Sequence, residues 1–149
     1  MSLRDAARRA GVSHNAPYRH FADRDALLAA LATEGFGMLG EAMRGHAGKD
    51  MGEAYVRFAL AHPQRFRLMF GGVLPMAKYA DLREAASSTY QALVEAFKDL
   101  PRPEVAAAAA WSLVHGLANL LLDGHLAGTS AAEVLGAVRF AQITQRAAA

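Results

Sequence analysis

Apolar residues recur every three or four positions along most of the chain, which is the spacing of one face of an α-helix. The first such stretch covers residues 3–10, follows Ser2 as an N-cap and stops at Gly11, where glycine can adopt a left-handed conformation without a Cβ clash. Ser13 then caps a short second helix over residues 14–21. The chain therefore opens with two short helices joined by a tight turn.

The rest of the chain repeats this pattern in longer pieces separated by glycine or proline. Asp23 caps a helix that continues to about residue 44, and the glycine-containing residues 45–52 are predicted as a loop. The last helix begins with a capping box, in which Ser130 is followed three residues later by Glu133. Further helices are predicted over residues 53–62, 64–70, 77–100, 104–125 and 130–146. The predicted fold class is therefore all-α.

The composition narrows the class of protein without changing this fold. At 149 residues the chain has the size of one domain, and 53% of its residues are hydrophobic. It contains no cysteine and no signal-peptide pattern, so we expect a cytoplasmic protein without disulfides. Residues 105–122 approach the length of a membrane span, but Ser112, His115 and Asn119 interrupt them. We interpret this segment as a buried helix and expect no membrane partner.

No sequence motif for catalysis is found. The chain has no paired-histidine metal motif, no glycine-rich phosphate loop after a strand and no nucleophile elbow. We therefore expect a protein that is not an enzyme and that has no cofactor and no metal.

Positive charge is concentrated near the N-terminus. Residues 1–24 contain five arginines and two aspartates, a net charge of +3, whereas the whole chain carries only +2. A basic end on a nearly neutral body is typical of a protein that binds a polyanion, although a solvated helix face can carry the same charge. The two helices around Gly11 also have the helix-turn-helix layout, whose second helix enters the DNA major groove. Two ordinary core helices can share that layout.

The second helix is rich in side chains that can hydrogen-bond to bases and phosphates. This density of donors and acceptors next to an apolar face predicts a DNA-contacting surface. Tyr18 has an alternative interpretation as a half-buried core residue. The candidates on this segment are Ser13, His14, Asn15, Tyr18, Arg19 and His20.

Two stretches resemble the tetracycline-repressor (TetR) family. "LRDAARRAGVSHNAPYRHFADRDALLAAL" resembles its DNA-binding region, with an alanine-rich helix, a Gly-Val-Ser turn, a Tyr-x-His-Phe element and an acidic cap before Leu-Leu. "AAAAWSLVHGLANLLLDG" is similar to the Trp-x-x-x-His-Gly signature of one TetR-type C-terminal domain. The resemblance implies a DNA-binding domain with its connecting helix over residues 1–44 and a ligand-binding and dimerisation domain over residues 45–149.

The resemblance also implies roles for individual residues. Ser13, His14 and Asn15 would face bases, whereas Tyr18, His20 and Arg24 would hold phosphates. The whole protein would be a ligand-responsive regulator, most simply a repressor that binds a palindromic operator in double-stranded DNA as a homodimer and is released by a small-molecule effector.

One departure from the family pattern leaves a second interpretation open. Family members usually begin with a further helix ahead of the helix-turn-helix, whereas Met1 here directly precedes the first helix of that unit. We therefore expect an incomplete DNA-binding domain. The alternative function is a dimeric helical ligand-binding or interaction protein that has lost DNA binding together with that helix.

The alanine-rich helix has two apolar faces, and each needs a cover. One face contains Trp111, His115, Ala118 and Leu122, and the other contains Ala109, Leu113, Gly116, Leu117 and Leu120. The protein's own core can provide one cover, and a second subunit can provide the other through an intersubunit four-helix bundle. The residues predicted for that dimer interface are Leu113, Leu117, Leu120, Leu135 and Val138.

A small-molecule site needs aromatic walls and a few polar groups. Each candidate taken singly can also be an ordinary core residue, and His115 can be a buried histidine satisfied by a carbonyl. Tyr79 and Phe97 are further aromatic candidates. The residues predicted to bind the ligand are Phe66, Met69, Phe70, Tyr90, Trp111, His115 and Asn119.

Overall fold

The chain folds into α-helices joined by short turns throughout the part described by this computed structural model, which comprises Arg8, Gly11, Ser13, Ala16 and residues 20–138. No strand occurs in these residues, so the all-α prediction is confirmed. The elements are α1 (Arg24–Met43), α2 (Gly48–Ala61), α3 (Pro63–Phe70), a 3₁₀ helix (Met76–Lys78), α4 (Ala80–Glu95), α5 (Pro103–Leu122) and α6 (Ala131–Ala137).

Local capping sets where two of these helices begin, as the sequence predicts. The Asp23 carboxylate accepts a hydrogen bond of 2.7 Å from the Ala26 amide at the start of α1. At α6 the Ser130 hydroxyl accepts from the Glu133 amide, and the Glu133 carboxylate accepts from the Ser130 amide, at 3.2 and 2.8 Å. The predicted capping box is therefore confirmed.

The predicted loop over residues 45–52 is wrong in its second half, because α2 already begins at Gly48. Gly52 is buried in α2, where an added Cβ would lie 3.2 Å from Val114 of α5. Lys49 and Glu53 form an ion pair of 3.1 Å across one helical turn. Glycine at position 52 permits close helix packing, whereas the sequence analysis interpreted it as part of a helix break.

Two other predicted helices are longer than those observed. The helix predicted over residues 77–100 covers only Ala80–Glu95, because Tyr79 is extended and separates it from the 3₁₀ helix. The last helix, predicted to reach residue 146, ends at Ala137 with Val138 extended, and residues 139–149 lie outside the described residues.

The helices predicted over residues 3–10 and 14–21 lie almost entirely outside the described residues. Gly11 is described and has φ +69, so the predicted left-handed turn is confirmed. Its amide donates to the Arg8 carbonyl at 3.2 Å, and the Ala16 amide donates to the Ser13 carbonyl at 2.9 Å. His20 and Phe21 lie outside any helix.

Helix α2 packs against α1, α3, α5 and α6, and α1 also packs along α4. The buried stripe of α1 keeps the predicted helical spacing, and α1 shares one core with the helices that follow it. The proposed domain boundary at residue 44 therefore does not divide the core, and it stays a prediction. The stripe consists of Ala29, Ala32, Phe36, Leu39 and Met43.

Helix α3 lies close to α1 because Gly35 leaves room for it. A Cβ built on Gly35 would lie 2.6 Å from Met69 Sδ. The Arg65 guanidinium of α3 also forms an ion pair of 2.9 Å with the Glu34 carboxylate of α1. Position 35 therefore sets the distance between the two helices.

Helices α1 and α5 are each long and apolar enough to cross a membrane by length and composition alone. One third of the relevant window is buried inside the protein in each case, and the core helix of a water-soluble protein passes the same test. In α5 the buried stripe is narrow and leaves Val105 and Leu120 exposed, so the protomer covers one face of α5, as the sequence analysis expects of the protein's own core.

Candidate ligand cavity and nucleic-acid interface

A cavity of about 280 Å³ lies between the helices of the body. Its walls are mostly side chains that point inward from the helical stripes that form the core. The main contributions are Phe36, Leu39 and Met43 from α1, Met69 and Phe70 from α3, Tyr90 and Leu93 from α4, and Ala110, Trp111 and Val114 from α5.

Four of the seven residues predicted to bind a ligand line this cavity, namely Met69, Phe70, Tyr90 and Trp111. Phe97, a further aromatic candidate, lines it as well, whereas Tyr79 does not. The four predicted residues come from three different helices, α3, α4 and α5, so only the packing brings them together.

Phe66, His115 and Asn119 lie outside the lining. Phe66 is buried in the core behind the cavity wall, 5.8 Å between ring centroids from Tyr55. The Asn119 side-chain amide donates to the carbonyl of His115 at 2.8 Å. Phe66 and His115 each pack against the lining residue Phe70, with 4.9 Å between ring centroids in both cases.

Tyr55 is a cavity-lining residue that the sequence interpretation missed. Its hydroxyl accepts a hydrogen bond of 3.1 Å from Trp111 Nε1 and lies 2.8 Å from His115 Nδ1. The side chain is buried and its ring lines the cavity. A tyrosine on a buried helix face needs a hydrogen-bond partner, and that requirement is the only sequence signal that could have identified Tyr55.

Burial determines the protonation of this hydrogen-bonded group. It lowers the pKa of His115, which favours the neutral imidazole, and it raises the pKa of the Tyr55 hydroxyl, which stays protonated. Because the Trp111 N–H can only donate, the Tyr55 hydroxyl accepts from it and donates to His115 Nδ1, which leaves the histidine proton on Nε2. His115 is thus satisfied by a tyrosine hydroxyl and not by a carbonyl.

The predicted DNA-contacting residues are only partly described. Ser13, His20 and Arg24 are exposed, and Arg24 is the first residue of α1, 3.6 Å from the Asp25 carboxylate. The described part of this segment therefore presents its polar side chains to solvent. His14, Asn15, Tyr18 and Arg19 lie outside the described residues.

The five residues predicted for a dimer interface divide into two groups. Leu120 is 44% exposed, and Leu113 and Val138 are half-buried. Leu117 and Leu135 are 5% and 1% exposed because they pack into the protomer's own core. These two leucines offer no surface to a partner, and their assignment to the interface is corrected accordingly.

The residues described contain no cluster of three histidine, cysteine, aspartate or glutamate side chains that could hold a metal ion.

Two protein-family models match this chain, one over its N-terminal residues and one over most of the remainder. The model described as "Bacterial regulatory proteins, tetR family" matches residues 1–31, and "Tetracyclin repressor-like, C-terminal domain" matches residues 48–140. No curated protein matches the chain.

Two solved structures share the fold. A protein of unknown function from Rhodococcus sp. RHA1 is 34% identical, with a TM-score of 0.82 over all of this chain and 86% of that one. The protein SCO4313, provisionally described as regulatory, is 27% identical, with a TM-score of 0.75 over 97% of this chain and 85% of that one.

Proposed function

Since the chain belongs to the tetracycline-repressor (TetR) family of bacterial regulators, we propose that it is a ligand-responsive repressor. It binds a palindromic operator as a homodimer and leaves the DNA when a small molecule occupies the cavity in its body. The observation that carries this proposal is that one helix, α1, both follows the segment predicted to bind DNA and lines the cavity.

The cavity can influence the DNA-binding segment through α1. Phe36, Leu39 and Met43 of α1 line the cavity, and the same helix begins at Arg24, directly after the segment predicted to form the helix-turn-helix. A ligand that displaces these side chains favours one position of α1 over another. A difference of about 1 to 3 kcal/mol between the two positions is enough to change operator occupancy.

Arg24 is the described cation best placed to hold a DNA phosphate. It is exposed, and it is the first residue of α1, where the helix dipole also attracts phosphate. A phosphate contact adds affinity for every sequence, whereas contacts from His14 and Asn15 to bases select between sequences.

The DNA-binding proposal is tested by fluorescence anisotropy on labelled DNA from upstream of the chain's own gene. Arg24→Ala should weaken binding to all sequences and reduce the slope of log affinity against log salt by about 1. Arg44→Ala is the matched control, since it removes the same charge about 30 Å away at the other end of α1. Salt-independent binding, or equal losses in the two variants, contradicts the phosphate role.

The homodimer proposal rests on the exposed face of α5. Val105, Gly116 and Leu120 lie on one side of this helix, with the exposed Ala109 and Ser112 between them. Small residues on an exposed apolar face allow a second helix to approach closely. A two-fold axis through this face would pair α5 with its copy.

Sedimentation of the Leu120→Asp variant tests the dimer. A carboxylate within the proposed interface should produce a monomer and lower operator affinity, because both half-sites no longer bind together. Val73→Asp is the control, since Val73 is even more exposed, at 69%, but lies in the turn after α3. A dimeric Leu120→Asp protein contradicts this interface.

A further inference from the structure

The cavity has no charged side chain among the described residues that line it. A neighbouring depression of about 490 Å³ between α1 and α4 is different, because Glu41, Arg44 and Glu95 line it. Moving an ionised group from water into an apolar site without a partner costs several kcal/mol. The cavity therefore discriminates against charged molecules.

Three polar side chains of the cavity wall already have partners within the protein. The Trp111 N–H donates to the Tyr55 hydroxyl, which is itself bonded to His115. The Thr89 hydroxyl lies 2.9 Å from the Ala85 carbonyl and 3.1 Å from the Phe36 carbonyl. A ligand acceptor would have to displace one of these bonds, because the N–H and O–H donors of all three side chains are engaged. This part of the wall therefore favours a ligand that needs none.

Methionine supplies an adaptable part of the wall. Four of the six methionines in the chain line the cavity: Met43, Met51, Met69 and Met76. The unbranched thioether side chain changes rotamer easily and contacts aromatic rings favourably. Such a wall fits flat, polarizable molecules of more than one shape.

The volume limits the size of the ligand. An apolar cavity of about 150 Å³ in another protein holds one benzene ring. At about 280 Å³ this cavity has space for roughly two such rings. We propose that the effector is an uncharged, hydrocarbon-like molecule with about two six-membered rings, bound by hydrophobic and dispersion contacts. Its role as an effector rests on the proposed function.

The strongest competing ligand group is a carboxylate. Gly48, the first residue of α2, lines the cavity, and α2 has no side-chain cap at this end. Helix N-termini bind anions, so an acidic ligand could use these amides. The experiment therefore compares a neutral probe with its carboxylate and ammonium analogues.

Trp111 is the only tryptophan and lines the cavity, so its fluorescence reports occupancy directly. The free full-length chain is titrated with biphenyl, biphenyl-4-carboxylate and 4-phenylbenzylammonium. Biphenyl should bind saturably, and each charged analogue should bind at least about tenfold more weakly because its charge must be buried. Equal or tighter binding of either charged analogue overturns the proposal, as does absence of biphenyl binding.

Two substitutions on α4 locate the bound probe. Ala86 lines the cavity, whereas Ala92 is exposed on the same helix and does not line it. Ala86→Phe fills the space and should weaken biphenyl binding at least about tenfold, since overlap with a buried ring is not tolerated. Ala92→Phe is the matched control and should bind as the parent does. Equal binding by the two folded variants overturns this site.

A third variant tests the hydrogen-bonding part of the proposal and does not depend on whether Ala86→Phe folds. Thr89→Val removes the hydroxyl while keeping the shape of the side chain. Biphenyl affinity should change by less than about threefold, because the ligand makes no bond to this group. A tenfold loss shows that the polar groups of the wall contribute to biphenyl affinity and contradicts binding by hydrophobic and dispersion contacts alone.

Operator release is measured separately, by anisotropy of labelled DNA in the presence of biphenyl. Binding together with release supports both the ligand class and the proposed function. Binding without release supports the ligand class and contradicts the proposed regulation. Release by the carboxylate alone contradicts the ligand class and supports the regulation.

Discussion

Replacing Tyr55 by phenylalanine removes one hydroxyl and leaves two neighbours without their partner. Trp111 Nε1 loses the acceptor at 3.1 Å, and His115 Nδ1 loses the donor at 2.8 Å. The phenyl ring keeps its packing on Phe66 and Phe70, so the change is confined to hydrogen bonding.

The expected cost follows from these two bonds. Each hydrogen bond contributes about 0.5 to 1.5 kcal/mol net to stability, so the loss of two amounts to about 1 to 3 kcal/mol. Trp111 and His115 are half-buried, which lets water partly replace the lost hydroxyl and places the expected value in the lower half of that range. For a chain of this size, 1 kcal/mol corresponds to a decrease in melting temperature of about 2 to 4 °C.

Urea unfolding followed by circular dichroism measures the change, with Tyr90→Phe as the control. Tyr90 makes only a long bond of 3.4 Å to the Glu104 carbonyl in an exposed position, so its variant should lose less than about 0.5 kcal/mol. If Tyr55→Phe costs no more than Tyr90→Phe, the hydrogen-bonded group does not stabilise the fold and the reasoning is wrong.

Three further predictions concern helix packing, capping and pH. Gly37→Ala should raise the unfolding free energy by about 0.5 to 1 kcal/mol in urea, because its Cβ meets nothing, whereas Gly35→Ala should lose this gain because its Cβ would lie 2.6 Å from Met69 Sδ. Ser130→Ala should cost about 0.5 to 2 kcal/mol of unfolding free energy by removing the capping box. Since burial lowers the pKa of His115, the unfolded chain takes up that proton first, so stability should fall as pH decreases below about 6.5, and His115→Asn should reduce this loss.

Each of these predictions has a contradicting result. Equal gains at positions 35 and 37 would show that α3 moves away from α1 at no cost. A neutral Ser130→Ala variant would show that α6 is held by packing alone. An unchanged pH profile in His115→Asn would assign the acid sensitivity to other groups.

The helix boundaries that depend on neighbouring residues were predictable. Asp23 at α1 and Ser130 at α6 satisfy backbone amides within their own first turn, so the information lies within four residues. Gly11 likewise adopts the predicted left-handed turn. The start of α2 was missed because Gly48 and Gly52 were interpreted as a break, whereas Gly52 is required by contact with α5.

The candidate site was likewise predictable only in part. The aromatic and methionine residues at helical spacing were correctly recognised as inward-facing, but spacing alone does not separate cavity wall from core. Phe66 and Phe70 are one turn apart, and only Phe70 lines the cavity. Tyr55 was missed because its partners lie 56 and 60 positions further along the chain.

Local sequence thus accounted for the helical fold class, the caps and the family resemblance, because each depends on residues within a few turns of one another. The contacts between helices decided the rest: where the cavity lies, which side chains line it, and that Leu117 and Leu135 belong to the protomer core and not to a partner. These properties depend on distances between segments far apart in the chain, which the periodicity of any one helix does not contain.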